Sequence, residues 1–151
     1  LVGSVAGGDA KLGKKLKANY AREVPAFATL QKGISRAFKR RGYLKGLDGR
    51  RLIIRGGSEH KCLSQLLQSA GAILCKKWVA LIDHELKQIS DQAYMVGWIH
   101  DEVQIACKTQ EVADHVGDIT SRMAQEAGAA FKTNIPITSE YSVGRTWAHT
   151  H

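Results

Sequence analysis

Residues 94–107, YMVGWIHDEVQIAC, set the terms for the rest of the chain. A mostly apolar run ends at His100, Asp101 and Glu102, and an alternation resumes as Val103, Ile105 and Cys107 with Gln104 and Ala106 between. Two β-rich arms around a short polar turn predict a hairpin. Such a turn would set two adjacent carboxylates at the tip of a buried sheet, where desolvation and mutual repulsion are costly unless a proton or cation neutralises them. A hard divalent cation such as magnesium suits that place, because it prefers carboxylate oxygens and keeps positions open for water and phosphate. An Asp-Glu pair between strands is also compatible with a plain solvated turn. The remainder of the chain has to decide between them.

The 151 residues are enough for one domain with a core, and a hydrophobic content of 44% is ordinary for a folded protein. No run of about 18 apolar residues is present, which argues against a membrane-spanning helix. The opening LVGSVAGGDAK lacks a basic region leading into an apolar one, and a cytoplasmic protein is expected. Leu1 stands where an initiator methionine would, so the left boundary is expected to be a cut. Cys62, Cys75 and Cys107 are odd in number and widely spaced, without zinc-ligand spacing to a histidine, and are expected to be reduced thiols in apolar surroundings. The formal charge of +8 is unevenly spread. Residues 1–61 hold 15 Lys/Arg against 4 Asp/Glu, a net of +11, while residues 62–151 hold 7 against 10, a net of −3. A basic half beside an acidic turn suits a polyanion that is held by one part and presented to a metal by the other. A basic face that serves only solubility would produce the same count.

Asp9 is a plausible N-cap for a lysine-rich helix over residues 11–20, with Leu12, Leu16 and Tyr20 along one face. Pro25 suits the first turn of a second helix whose apolar residues are Phe27, Leu30, Ile34 and Phe38; Lys39, Arg40 and Arg41 complement its C-terminal dipole, and Gly42 stops it. Residues 43–55, YLKGLDGRRLIIR, predict a hairpin about Asp48-Gly49. Lys45, Arg50, Arg51 and Arg55 would line it, and guanidinium groups on a rigid ribbon suit bidentate phosphate contacts. A long helix follows from about residue 59 to 87, with Leu63, Leu66, Leu67, Ala70, Ile73, Leu74, Trp78 and Leu81 on a wide apolar face. His60, Ser64 and Gln68 recur every four residues on a separate polar stripe, where neutral donors and acceptors could meet a duplex groove or simply face water. Beyond the central hairpin, Thr109 predicts the cap of an amphipathic helix running through Val112, Val116, Ile119, Met123, Ala127 and Ala130. After Pro136, residues 137–143 are expected to form a strand beside the hairpin, and RTWAHTH closes the chain with Trp147, His149 and His151.

Three stretches in this order, KGLDGR at 45–50, LLQSAGA at 66–72 and IHDEVQ at 99–104, resemble the C-terminal palm region of family A, or DNA polymerase I-like, DNA polymerases. The closing TWAHTH is similar to the ends of bacteriophage replicative polymerases. The resemblance covers nearly the whole chain. It implies an α+β fold: an antiparallel palm-type sheet made from the central hairpin and the C-terminal strand, packed by long helices, with a basic helical arm and a β-hairpin in front. Residues 1–42 would be basic helices from the fingers/palm junction and residues 43–151 the palm. Asp101 matches the motif C aspartate that binds catalytic magnesium, Glu102 its supporting carboxylate, and His100 the histidine next to the primer end. Gln68 corresponds to the glutamine that checks minor-groove acceptors, and His60 falls where relatives have another DNA-contacting side chain. Ser64 departs from the family's usual asparagine. The hairpin with Arg50 and Arg51 would lie along the primer-template duplex.

By that resemblance the intact enzyme performs template-directed DNA synthesis, with deoxynucleoside triphosphates and primer-template DNA as partners, two magnesium ions as cofactors, and the infected bacterial cytoplasm as its setting. A two-metal transfer also requires a second aspartate from an earlier palm strand and a fingers helix with Lys, Arg and Tyr, and neither is visible in this sequence. The expectation is a fragment, a truncated product, or one subunit of a split polymerase whose remaining segment lies on another chain; alone it would be inactive. The competing class is a non-catalytic duplex-binding module that keeps the basic arm and the polar stripe. A metal-dependent nuclease is weaker, since Glu85 and Asp91 look like helix-end and loop charges.

Overall fold

A computed structural model describes residues 9–55 and 61–150. His60 and His151, both expected site residues, and Glu59, at the expected start of the long helix, lie outside the described residues. The chain divides into two compact units, one up to Leu67 and the other from Gln68.

In the first unit, local capping chemistry fixes the helices. Helix α1 (Ala10–Glu23) starts where the Asp9 carboxylate accepts from the amides of Lys11 at 2.7 Å and Leu12 at 3.1 Å, satisfying donors that an open helix end leaves unpaired. Helix α2 (Pro25–Arg41) starts with Pro25, whose missing N–H costs nothing in the first turn, and ends at Gly42 in the left-handed region, φ 75°. Tyr20 and Phe27 join the two helices edge-to-face, with ring centroids 5.1 Å apart. Strands β1 (Tyr43–Lys45) and β2 (Arg51–Ile53) pair antiparallel, with Leu44 opposite Leu52 and Lys45 opposite Arg51. The Asp48-Gly49 signal belongs to a longer loop than a two-residue turn: the Gly49 amide donates to Gly46 O and the Gly46 amide to Arg50 O, and Gly49 supplies φ 85°. Alternation turns Leu44 and Leu52 inward, where they pack with Ile34, Ala37, Phe38, Ile54, Cys62, Leu63 and Leu66.

Helix α3 (Cys62–Leu86) is the long helix expected from the apolar pattern, although Leu67 stands outside its buried face at 60% exposure. In the second unit its Ile82 and Leu86 enter a core with Ala93, Val116, Ile119 and Met123. Strands β3 (Ala93–Ile99) and β4 (Glu102–Cys107) form the expected antiparallel hairpin, and Met95, Val103, Ile105 and Cys107 pack on that core. Helix α4 (Gln110–Ala130) begins at the Thr109 cap, whose hydroxyl accepts from the Val112 amide at 3.2 Å. The Trp78 indole donates to Thr120 O at 2.8 Å, fastening α3 to α4. The architecture is therefore α+β, with two separate two-stranded antiparallel sheets among the described residues.

The expected C-terminal strand does not form. Residues 137–143 carry no strand pairing and run as an extended strap along α4 instead. The cause is a docking surface of missing side chains on that helix: Cβ atoms added at Gly117 and Gly128 would run into the Tyr141 ring and into Ile137. The Ser121 hydroxyl donates to Ser139 O at 3.2 Å between those two contacts. The three cysteines are thiols, with Cys62 buried and Cys75 and Cys107 half-buried.

Candidate active site

The hairpin tip is tighter than the sequence pattern indicates. Ile99 pairs directly with Glu102, leaving only His100 and Asp101 in the turn. Glu102 is thus the first residue of β4, not a tip residue, and its carboxylate accepts a hydrogen bond from the side-chain Nε2 of Gln104 on the same face of the strand. Two-residue hairpin turns need a positive φ at the first central position, and His100 supplies it at φ 55°. For a residue with a Cβ that conformation costs on the order of 1–2 kcal/mol. The turn is held nonetheless, and the Trp98 indole donates to His100 O at 2.8 Å.

The tip is also not buried, contrary to the expectation of a desolvated pair: Asp101 is exposed and Glu102 half-buried. The core contacts of the hairpin come from Ala93, Met95, Val103, Ile105 and Cys107, and the tip projects past them. Asp101 faces one notable neighbour. Burial raises the Cys75 thiol above its ordinary value, and the negative charge of Asp101 raises it further. Burial likewise raises Cys107.

The donor chemistry fits a hard divalent ion. Asp101 accepts no hydrogen bond among the described residues, and two adjacent carboxylates supply oxygen ligands of the type magnesium selects. No group of three His, Cys, Asp or Glu able to hold a metal is present among the described residues, so an ion here would retain water or phosphate ligands.

The expected nucleic-acid contacts divide between the units. In the first, Lys45, Arg51 and Arg55 are exposed, and the Arg51 guanidinium lies 4.9 Å from the centre of the Tyr43 ring, a cation–π contact that stiffens it. Arg50 is already engaged, because Asp48 takes its Nε at 2.7 Å and its terminal nitrogen at 2.6 Å. That guanidinium holds the Asp48 carboxyl below its ordinary value. Ser64 and Gln68 are exposed, four residues apart on α3. One feature of the first unit was missed in the sequence: an open cleft of about 810 Å³ lined by Lys17, Lys32, Arg36, Lys39 and Arg40 over a floor containing Ile34, Cys62 and Leu63. Among the described residues, none that lines it is acidic. Its signal was the stretch from Val24 to Leu47, which contains no Asp or Glu.

Residues 14–149 match the family model described as DNA polymerase family A. This chain belongs to DNA polymerase family A. It is 34% identical to the DNA-directed DNA polymerase of Enterobacteria phage T3 and 33% identical to that of Escherichia phage T7, covering 99% of the chain and 24% of each phage protein. It is 26% identical to DNA polymerase I of Aquifex aeolicus, over 87% of this chain and 23% of that protein. The chain therefore spans about a quarter of the length of these relatives. Its fold is similar to the POL domain of Pol1 from M. smegmatis, solved in complex with DNA primer-template and dNTP, with a TM-score of 0.76, 14% identity, and coverage of 98% of this chain and 27% of that one. The family A member is thus a mixed α and β protein with the resemblance carried along nearly its whole length.

Proposed function

We propose that this family A segment supplies the carboxylate hairpin and part of the DNA-holding surface of a DNA-directed DNA polymerase that works in phage replication in the host cytoplasm. In this reading, residues 1–42 come from the fingers/palm junction and residues 43–151 from the palm. The observation that carries the reading is the Asp101 carboxylate, which accepts no hydrogen bond among the described residues and stands on a strained two-residue turn inside the region matched to the family. Asp101 would hold magnesium, with Glu102 beside it oriented by Gln104. When bound, divalent metal supplies Lewis-acid polarisation and charge stabilisation for phosphoryl transfer, in the pair-of-ions arrangement typical of polymerases.

The chain's own residues would bind and orient. His100 sits beside Asp101, where a primer end would be placed. Gln68 offers a neutral amide to minor-groove acceptors shared by all base pairs, and Ser64 a hydroxyl that can contact through water. Lys45, Arg51 and Arg55 on the ribbon, and the cations of the α1–α2 cleft, would hold backbone phosphates, with Arg50 contributing only by exchanging its Asp48 partner for one. Deoxynucleoside triphosphate binding would draw on other parts of a polymerase, on the same chain or a partner chain. The membrane has no role in this proposal, and no described helix is long and apolar enough to cross one.

The test is primer extension with magnesium by the chain alone and together with the product of the coding sequence adjoining it upstream. Extension that requires Asp101 and disappears with Asp101→Ala is expected from the mixture. Extension that survives this substitution would refute the role of Asp101. The acid-free stretch from Val24 to Leu47 favours one second reading, a duplex-binding module without chemistry. That module would bind DNA with a steep salt dependence and ignore Asp101→Ala.

A further inference from the structure

We propose that Trp98 is a positioning residue for Asp101, acting through the peptide bond that joins His100 to it. This inference rests on the metal-binding reading of Asp101 and deepens it. The sequence gives Trp98 no role beyond that of another apolar residue in β3. Its indole N–H, however, donates to the carbonyl oxygen of His100 at 2.8 Å. That oxygen belongs to the planar peptide unit whose other end is the Asp101 amide, so holding it fixes ψ of His100 and φ of Asp101 together. Those two torsions aim the Asp101 Cα–Cβ bond.

The turn needs such a restraint. His100 occupies φ 55°, a region that glycine enters without penalty and histidine does not, so the turn relaxes unless something holds it. The register explains how Trp98 reaches the site. Between Met95, paired with Ile105, and Gly97, paired with Gln104, β3 has one extra residue, Val96. This bulge shifts the alternation and brings Trp98 opposite Val103, a residue packed on the core, where an unbroken ladder would have placed Gly97. The bulge therefore lets Met95 serve the core while Trp98 reaches the tip from a supported position. A bulge that re-aims a side chain beside a functional turn is a recurrent device.

The restraint makes a specific prediction about coupling. Trp98→Phe keeps the ring and removes the donor, while His100→Gly removes the strain and the need for a clamp. Manganese serves as the probe, since it takes oxygen ligands and broadens nearby amide resonances. In the unaltered chain the Trp98 indole N–H should exchange with solvent more slowly than a free indole does. Trp98→Phe should displace the Asp101 and Glu102 amide resonances and weaken manganese binding at them about fivefold, the scale of one hydrogen bond. In a His100→Gly background the same Trp98→Phe change should cost less than about twofold, because the left-handed conformation is then intrinsic. Equal losses in both backgrounds would assign the effect to the ring and overturn the clamp. Unmoved Asp101 and Glu102 amides after Trp98→Phe would overturn it as well. If manganese fails to broaden these amides in the unaltered chain while the indole protection and the Trp98→Phe displacements are seen, the clamp stands and the metal reading fails.

Discussion

The strap along α4 makes opposite stability predictions for two helical glycines of the second unit. At Gly71 in α3 an added methyl meets nothing within 4 Å, so Gly71→Ala should give the full helix-propensity gain of about 1 kcal/mol. At Gly117 in α4 the same gain is opposed by the Tyr141 ring, since the new Cβ would lie 2.5 Å from Cδ2. Carbon atoms pack at about 3.5–4.0 Å, so the ring must retreat by about 1 Å or more and leave its seat on the helix. Overpacking of this kind costs about 1–3 kcal/mol, which leaves Gly117→Ala destabilised by about 1 kcal/mol after the propensity gain. The two variants should then differ by about 2 kcal/mol, or about 4–8 °C in melting temperature for a chain of this size. Circular dichroism melts and urea titrations of the pair would measure the difference. In a Tyr141→Ala background, Gly117→Ala should turn stabilising, because the obstacle has been removed. If Gly117→Ala raises the melting temperature as Gly71→Ala does, the ring does not seat on Gly117 and the strap is wrongly placed.

The remaining expectations concern the core, the ribbon and the tip. Ile82 is fully buried, so Ile82→Ala should destabilise the second unit by about 2–5 kcal/mol, measured as a loss of urea midpoint. Replacing Lys45, Arg51 and Arg55 together by alanine should reduce the slope of log affinity against log salt for duplex DNA by up to about 2.7, at about 0.9 per phosphate contact; an unchanged slope would remove the ribbon from the interface. Because Arg50 lowers the folded-state pKa of Asp48, the ion pair's contribution is present above the carboxyl's ordinary value and is lost as pH falls through the lowered one. Carbon-13 titration of Asp48 should therefore move to higher pH in Arg50→Ala, and a fixed midpoint would contradict the pairing. Asp101→Asn removes one of the two causes that raise Cys75, so peptide-resolved alkylation of Cys75 at pH 8 should accelerate while Cys107 stays constant.

Helix ends were legible in the sequence because capping is local chemistry. Asp9, Pro25, Gly42 and Thr109 each satisfy or stop a helix through atoms within a few residues, so their roles do not depend on the rest of the fold. The 137–143 strap was not legible, because Ile137, Ser139, Tyr141 and Val143 alternate equally well in a strand and in an extended segment lying on a helix. What decides is the partner, and the glycines that create it, Gly117 and Gly128, are distant in sequence. At the tip, the hairpin itself was legible from the motif, but the setting of Asp101 was not. Register depends on the bulge at Val96, which no alternation pattern reveals, and with it the removal of Glu102 from the turn and the arrival of Trp98 opposite Val103. The engagement of Arg50 by Asp48 likewise appears only once the loop is folded.

Replacing the ligand tests most directly whether Asp101 holds a metal for nucleotidyl transfer. Primer extension by the chain with the product of the adjoining upstream coding sequence would be measured for the native residue, Asp101→Ala and Asp101→Cys, each with magnesium and then with manganese or cadmium. A thiolate binds softer ions far better than magnesium. The expected result is extension lost with magnesium in both variants and regained with the softer ions in Asp101→Cys alone. Undiminished magnesium-dependent extension by Asp101→Ala would contradict the assignment of Asp101 as a metal ligand.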